Sequence, residues 1–150
     1  MGAITGDKTV EIAAPVERCY AIAADLERAT SWYPVLQEVE VHRRDDAGRP
    51  LSATLVTDAK VRTLTGRWQI EYAEFTAISW VQDKGDVKSL EGSWRFEDLG
   101  SGLTRATYAM AVDPGRMLGL LLRGPGVVDS VRRHLMDNAA EGLKQQAESS

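Results

Sequence analysis

The chain has 150 residues, of which 43% are hydrophobic and 27% are charged, and its formal net charge is −4. This length and composition predict one domain over residues 1–150 with a full hydrophobic core, which excludes an intrinsically disordered chain. The negative net charge argues against a nucleic-acid-binding protein, because such proteins typically have a basic surface patch. A single cysteine excludes an internal disulfide, and two histidines with one cysteine do not supply the usual zinc ligands, so no metal is expected.

The N-terminal region has neither the positive segment nor the apolar core of a signal peptide, so we expect a cytoplasmic protein. Apolar and polar residues alternate at 9–12, which predicts a first strand. Pro15 suits the first turn of a helix, and apolar residues at helical spacing predict a short helix from there to residue 26. A second short helix is predicted at 25–33, before Pro34.

The middle of the chain has the apolar–polar alternation that is typical of half-buried strands. It predicts strands at residues 35–44, 51–57, 66–75, 78–82, 90–97 and 103–112. Turn-forming sequences rich in Asp, Gly and Ser separate several of them, at 45–48, 83–86 and 99–102, which predicts antiparallel hairpins.

The longest predicted helix runs from about residue 127 to residue 148, after a Gly-Pro-Gly sequence. Its apolar stripe consists of Val128, Val131, Leu135, Ala139 and Leu143. This is the longest element able to cover the apolar face of the sheet. The predicted fold class is therefore α+β, with a curved antiparallel sheet of about six to seven strands around the C-terminal helix and two short helices after the first strand.

Four segments carry a resemblance to a known family, the helix-grip superfamily. They are Val-Glu-Ile-Ala-Ala-Pro-Val-Glu at 10–17, Trp-Tyr-Pro-Val at 32–35, Gly-Ser-Trp-Arg-Phe at 92–96 and Gly-Leu-Thr-Arg-Ala-Thr-Tyr at 102–108. The sequence resembles START domains, the birch-pollen-allergen fold and the polyketide cyclase/dehydrase and lipid-transport proteins of that superfamily. The C-terminal helix resembles the family's terminal Asn-Leu-Lys helix, except that Gly142 stands where Asn is common.

The resemblance implies a cavity between sheet and helix that binds a hydrophobic small molecule such as a lipid, quinone or polyketide, without a cofactor. Strand alternation and helix periodicity predict the residues that face this space. The predicted cavity residues are Trp32, Trp68, Ile70, Tyr72, Trp94, Phe96, Tyr108, Met110, Val131, Leu135 and Asn138. Trp80 shares a face with Ile78 and Gln82, and its orientation stays open. Tyr33, beside Trp32, is a further candidate for closing one end.

The apolar run at 117–122, between Arg116 and Arg123, has two interpretations. It forms either a helical turn that packs its leucines on the body, or a mobile entrance that contacts a membrane or partner through Met117, Leu118, Leu120 and Leu121. Glycines on both sides would permit hinge motion.

Three functions are compatible with these patterns. The first is non-covalent binding of a hydrophobic small molecule, with tyrosine hydroxyls orienting it. The second is a cyclase or dehydratase, which would need a proton donor or acceptor inside the cavity. Tyr72, Tyr108 and an inward arginine are the plausible donors, but alternation directs Arg95 and Arg105 outward, and no carboxylate is placed inside. The third is an interaction module that uses residues 117–122 for transient membrane or protein contact. The oligomeric state is not predicted.

Overall fold

The computed structural model describes residues 4–149. Seven strands are formed, β1 (Ile4–Ile12), β2 (Leu36–Arg44), β3 (Pro50–Asp58), β4 (Thr63–Ala73), β5 (Ala77–Gly85), β6 (Ser89–Gly100) and β7 (Leu103–Asp113). The α-helices are α1 (Val16–Ala24), α2 (Gly115–Gly119) and α3 (Val127–Glu148), with short 3₁₀ helices at Leu26–Ser31 and Leu120–Leu122.

The strands form one antiparallel sheet in the order β1-β7-β6-β5-β4-β3-β2. The strands from β2 to β7 follow one another as a meander, and β1 closes the order by pairing with β7, for example at Lys8 and Tyr108. The predicted helix-grip fold is confirmed: a seven-stranded antiparallel sheet, a long C-terminal helix and two short helices after β1.

The predicted turn at residues 83–86 begins too early in the chain. Lys84 and Gly85 still pair with Arg67 and Gly66 of β4, so β5 continues through Gly85. A bulge beside Trp68 accommodates this extension. The Asp-Lys-Gly sequence is therefore the end of a strand, and the chain reverses only between Gly85 and Ser89.

Helix α3 is the longest helix of the described residues, and it buries more than the single stripe expected from its sequence. Val131 and Ala139 are buried toward the sheet, as predicted, but Val128 in the first turn is exposed. Met136 is buried instead and packs on β1, where a Cβ added to Gly6 would lie 3.0 Å from its sulfur. The difference arises because α3 contacts β1 and α1 as well as the sheet face, so its buried surface is wider than one stripe.

Among the helices of residues 4–149, none has both the length and the apolar character needed to cross a membrane.

Candidate ligand-binding cavity

A cavity of about 140 Å³ lies between the inner face of the sheet and α3. Empty apolar cavities of roughly 150 Å³ can hold a benzene-sized ligand, so the space suits one ring or a short chain without rearrangement. Its wall draws side chains from β3, β4, β5, β6 and β7, from both short N-terminal helices and from α3. Most are apolar, which is the composition of a site for a hydrophobic molecule.

A row of aromatic rings crosses the sheet along the inner wall. Trp68 and Trp80 stack with ring centres 5.2 Å apart and planes 4° from parallel. Tyr108 continues the row, at 5.9 Å from Trp80 and 5.0 Å from Trp94. Gly92 makes the row possible, because a Cβ there would lie 2.5 Å from the Trp80 indole nitrogen. The Trp80 ring therefore lies flat over β6.

All four tryptophans of the chain line the cavity. Trp32 closes its inner end from the segment after the first 3₁₀ helix, and its ring stacks on Tyr33 at 6.1 Å. The Trp32 carbonyl oxygen would lie 2.1 Å from a Cβ built on Gly142. Only glycine therefore lets α3 approach this segment so closely, which explains the departure from the family's Asn. The buried Trp32 Nε1 has no hydrogen-bond partner within the described residues.

Two tyrosine hydroxyls meet inside the otherwise apolar space. The Tyr33 hydroxyl donates to the Leu135 carbonyl oxygen at 2.9 Å. Burial raises the pKa of Tyr108 to about 12, although its hydrogen bond with Tyr33 lowers it. Burial, and then the neighbouring Tyr108, holds the pKa of Tyr33 well above its ordinary value. Both hydroxyls are therefore protonated at neutral pH, and neither is a base. The single proton of Tyr33 is donated to Leu135, so Tyr108 is the hydroxyl of this pair that could donate to a ligand.

Tyr72 lines the cavity with its ring while its hydroxyl leaves the apolar space. The hydroxyl donates to the Pro50 carbonyl oxygen at 2.6 Å, and the Arg49 guanidinium lies 4.8 Å from the ring centre. Burial, followed by the nearby Asp45 carboxylate, raises the pKa of Tyr72 far above its ordinary value. The orienting role expected for this hydroxyl is therefore already taken by a protein carbonyl.

Nine of the eleven predicted cavity residues lie in the wall, namely Trp32, Trp68, Ile70, Tyr72, Trp94, Tyr108, Met110, Val131 and Leu135. Phe96 lies outside the lining, with its ring 6.1 Å from both Tyr20 and Trp94, because α1 covers that end of β6. Asn138 also lies outside it. Its amide donates to the His134 carbonyl one turn earlier on α3, so it does not reach inward.

Several lining residues are outside the predicted set, chiefly Leu36, Leu55, Leu64, Ile78, Val87, Leu90, Val112 and Ala139. Tyr33, a candidate for closing one end, and Trp80, whose orientation the sequence left open, also line the cavity. For Trp80 the signal was present, since its alternation with Ile78 and Gln82 directs all three into the cavity. For Leu36 the approach of β2 to the first 3₁₀ helix decides the contact, and this is a tertiary relation.

The mouth of the cavity is marked by lining residues that are also exposed. They are Val61, Arg62, Thr65, Glu91 and Leu121. The segment at 117–122 folds into the end of α2 and a 3₁₀ turn, and its side chains are divided between the cavity and the surface. Leu118 and Leu122 line the cavity, whereas Met117 and Leu120 are 83% and 55% exposed.

The remaining reactive side chains lie away from the cavity. Cys19 is fully buried, and burial raises the pKa of its thiol, so it is unsuited to nucleophilic chemistry. His134 is half-buried beside the Asp58 carbonyl oxygen at 3.1 Å, and His42 contacts Thr54 on the outer face. Arg95 and Arg105 point outward, as expected. Within residues 4–149, no group of three or more His, Cys, Asp or Glu could hold a metal ion.

Comparisons with known proteins agree on the fold. A family model described as polyketide cyclase / dehydrase and lipid transport matches residues 12–139. A START superfamily protein from Mycobacterium smegmatis superposes with a TM-score of 0.83 at 23% identity, covering 98% of both chains. The protein TTHA0849 from Thermus thermophilus gives a TM-score of 0.82 at 23% identity, with 95% of this chain and 96% of that chain covered.

An aromatase/cyclase, Zhui from Streptomyces sp. R1128, has a TM-score of 0.77 at 18% identity, covering 96% of this chain and 93% of its own. At the sequence level the chain matches none of the curated proteins. Because identities are this low, the structural likeness establishes the fold alone.

Proposed function

The chain belongs to the polyketide cyclase/dehydrase and lipid transport family, and on this basis we propose that it binds a hydrophobic small molecule non-covalently, as a carrier or sequestering protein. The proposed ligand is a lipid, quinone or polyketide-like molecule held between sheet and C-terminal helix by a single domain. The observation that carries this proposal is the cavity of about 140 Å³ with its largely apolar wall. Such a wall provides affinity through burial of apolar surface.

The ligand's orientation would come from few polar groups. Tyr108 offers a protonated hydroxyl beside Tyr33, whose own proton is donated to the Leu135 carbonyl oxygen of α3. A carbonyl or hydroxyl oxygen on the ligand would be the natural partner for such a donor. The rest of the contact would be to aromatic and aliphatic side chains, which favours ring systems and chains over charged molecules.

A cyclase or dehydratase is the second candidate, because the structural relatives include an aromatase/cyclase. The protonated Tyr108 hydroxyl could polarise a ketone, but this chemistry also needs a group that accepts a proton. Glu91 is the acidic residue of the lining, and it is exposed at the mouth. The site therefore favours binding over catalysis.

The first experiment is native mass spectrometry of the protein purified from its own type of host, followed by denaturing extraction. We expect a stoichiometric apolar molecule that leaves the protein chemically unchanged. A protein that carries nothing and takes up no uncharged naphthylamine dye would contradict ligand binding. If a poly-β-ketone is cyclised by the parent protein but not by the Tyr108→Phe variant, the protein is an enzyme and not a carrier.

A pair of matched variants localises the binding. Ala139 is buried in the cavity wall on α3, whereas Ala21 is exposed on α1. Ala139→Leu should fill part of the cavity and weaken dye binding about tenfold or more, while Ala21→Leu leaves it unchanged. Because all four tryptophans line the cavity, their fluorescence reports its occupancy directly. Equal dye binding by both variants would exclude the cavity as the site.

A further inference from the structure

The exposed apolar side chains of the protein are concentrated at the mouth of the cavity. Residues 4–149 have seven exposed large apolar side chains, and four of them, Val61, Met117, Leu120 and Leu121, belong to two segments that border the mouth. We define these segments, 59–62 and 114–123, as the rim. Folding leaves these side chains in water, although Leu122 of the same run is buried, and clustered apolar side chains of this kind are typical of an interaction surface.

The rim is cationic although the chain as a whole is acidic. Its four charged residues are Lys60, Arg62, Arg116 and Arg123, all exposed, and it contains no acidic residue. Within the described part of the chain none of these four cations forms an ion pair. Lys60 bonds only the neutral Ser130 hydroxyl, which leaves its charge in place.

The acidic residues that flank the rim offset its charge only in part. Asp113 lies 3.9 Å from Lys88, and Asp129 pairs with both Arg132 and Arg133 on α3. Asp58 beside the rim and Glu91 at the mouth pair with no Lys or Arg of the described residues, and the backbone N–H of Lys60 that Asp58 accepts does not neutralise its carboxylate. Four cations against these two carboxylates leave the rim and its border with a positive net charge.

We propose that the rim docks on the surface of an anionic lipid bilayer. Met117 and Leu120 enter the headgroup region, while Arg62, Arg116 and Arg123 meet lipid phosphates. Apolar insertion combined with attraction to anionic lipid is the usual physical basis of reversible membrane-surface binding. Docking directs the mouth at the bilayer, so an apolar ligand of the proposed kind could pass between membrane and cavity without crossing water. The docking itself does not depend on which ligand is carried.

A second copy of the chain is a poorer occupant of the same surface. In a symmetric dimer built rim to rim, the same patch faces itself, so four cations would be brought against four cations. Like charges placed together in this way oppose association. A bilayer containing phosphatidylserine offers the opposite charge together with an apolar interior.

The test is co-sedimentation of the full chain with phosphatidylcholine vesicles, with and without phosphatidylserine. We expect binding to the anionic vesicles that weakens as salt is raised, because exposed charges are screened. Met117→Ser with Leu120→Ser should weaken it on the order of tenfold or more. Neither residue lines the cavity, so dye binding should be retained and a failure of docking is distinguishable from a failure of ligand binding.

Matched controls separate the rim from the rest of the surface. Val81 is 54% exposed on β5, and Arg95 is exposed on β6. Val81→Ser and Arg95→Gln should leave vesicle binding unchanged, whereas Arg116→Gln with Arg123→Gln should weaken binding to anionic vesicles roughly twentyfold. Equal binding to neutral and anionic vesicles, equal effects of rim and control variants, or no binding by the parent would overturn the proposal. So would a dimer that forms without vesicles and dissociates in Met117→Ser with Leu120→Ser.

Discussion

The two ends of the cavity are built in opposite ways. At the closed end, Gly142 packs directly on the Trp32 backbone, and Lys144 donates to the Glu11 carbonyl oxygen at 2.7 Å. Arg18 of α1 adds bonds to the Ala147 and Ser149 carbonyl oxygens, both at 2.7 Å. At the mouth, by contrast, Gly126 has open space around it and Met117 and Leu120 point into water.

This contrast indicates which part of the molecule is able to move. Opening the closed end would break close packing and several hydrogen bonds together, whereas Met117 and Leu120 at the mouth are exposed and bury little surface. Gly115, Gly124 and Gly126 all have positive φ; Gly115 is the first residue of α2, and the other two follow the 3₁₀ turn. A ligand larger than about one ring would therefore enter by displacing the mouth, while the C-terminal half of α3 stays anchored.

The largest expected effect tests the packed inner wall against the exposed rim. Trp94 is buried and contacts Phe96 and Tyr108, so Trp94→Ala should lower the free energy of unfolding by about 3–5 kcal/mol. Leu120→Ala, in contrast, should change it by less than about 0.5 kcal/mol, because its side chain is already in water. Denaturant unfolding of both variants measures the two values. Similar losses would show that the rim is packed as tightly as the wall.

A smaller effect tests the close approach at the closed end. In an ordinary helix interior Gly→Ala stabilises by up to about 1 kcal/mol. At Gly142 the new Cβ would meet the Trp32 carbonyl oxygen, so Gly142→Ala should instead destabilise by about 3 kcal/mol. Gly126→Ala meets no neighbouring atom and should cost only the strain of its positive φ, about 1–2 kcal/mol. A stabilised Gly142→Ala would mean that α3 is free to move away from Trp32, and the contrast between the two ends would fail.

The parts of the fold that follow from periodicity were accessible from the sequence. Alternation in β4, β6 and β7 predicted the inward rings of Trp68, Trp94 and Tyr108, and helical spacing predicted α3. These patterns depend only on the local geometry of a strand or helix.

Features that depend on how distant elements meet were not accessible. The Gly142–Trp32 approach joins residues far apart in the chain, and the removal of Phe96 from the cavity wall depends on where α1 lies. The continuation of β5 past Asp83 is decided by pairing with β4 and not by the turn-like composition of the segment. Alternation predicts the face of the sheet on which a side chain lies. It does not predict which helix or loop covers that face, because this contact has no local sequence signature.

The smallest expected effect tests whether the polar bonds of the closed end add to its packing. The backbone N–H of Ala13 and then the Lys144 ammonium lower the pKa of the Glu148 carboxyl. Because the folded-state pKa lies below the unfolded one, the ionised carboxylate stabilises the fold above the unfolded value, about 4.3, and this contribution is lost as pH falls through the folded value. For a pair this exposed the gain is under about 1 kcal/mol.

Glu148→Gln should therefore lower stability slightly at neutral pH, and its difference from the parent should shrink when unfolding is measured below about pH 4. Glu74→Gln, in the exposed turn between β4 and β5, serves as the matched control and should show no such convergence. No difference at neutral pH would mean that a neutral amide holds Ala13 equally well. A difference that stays constant with pH would mean that the loss of stability does not come from the carboxylate charge. A loss of several kcal/mol of unfolding free energy in Glu148→Gln would instead mean that polar bonds stabilise the closed end more than the Gly142–Trp32 packing does. The Gly142→Ala variant measures the contribution of that packing independently.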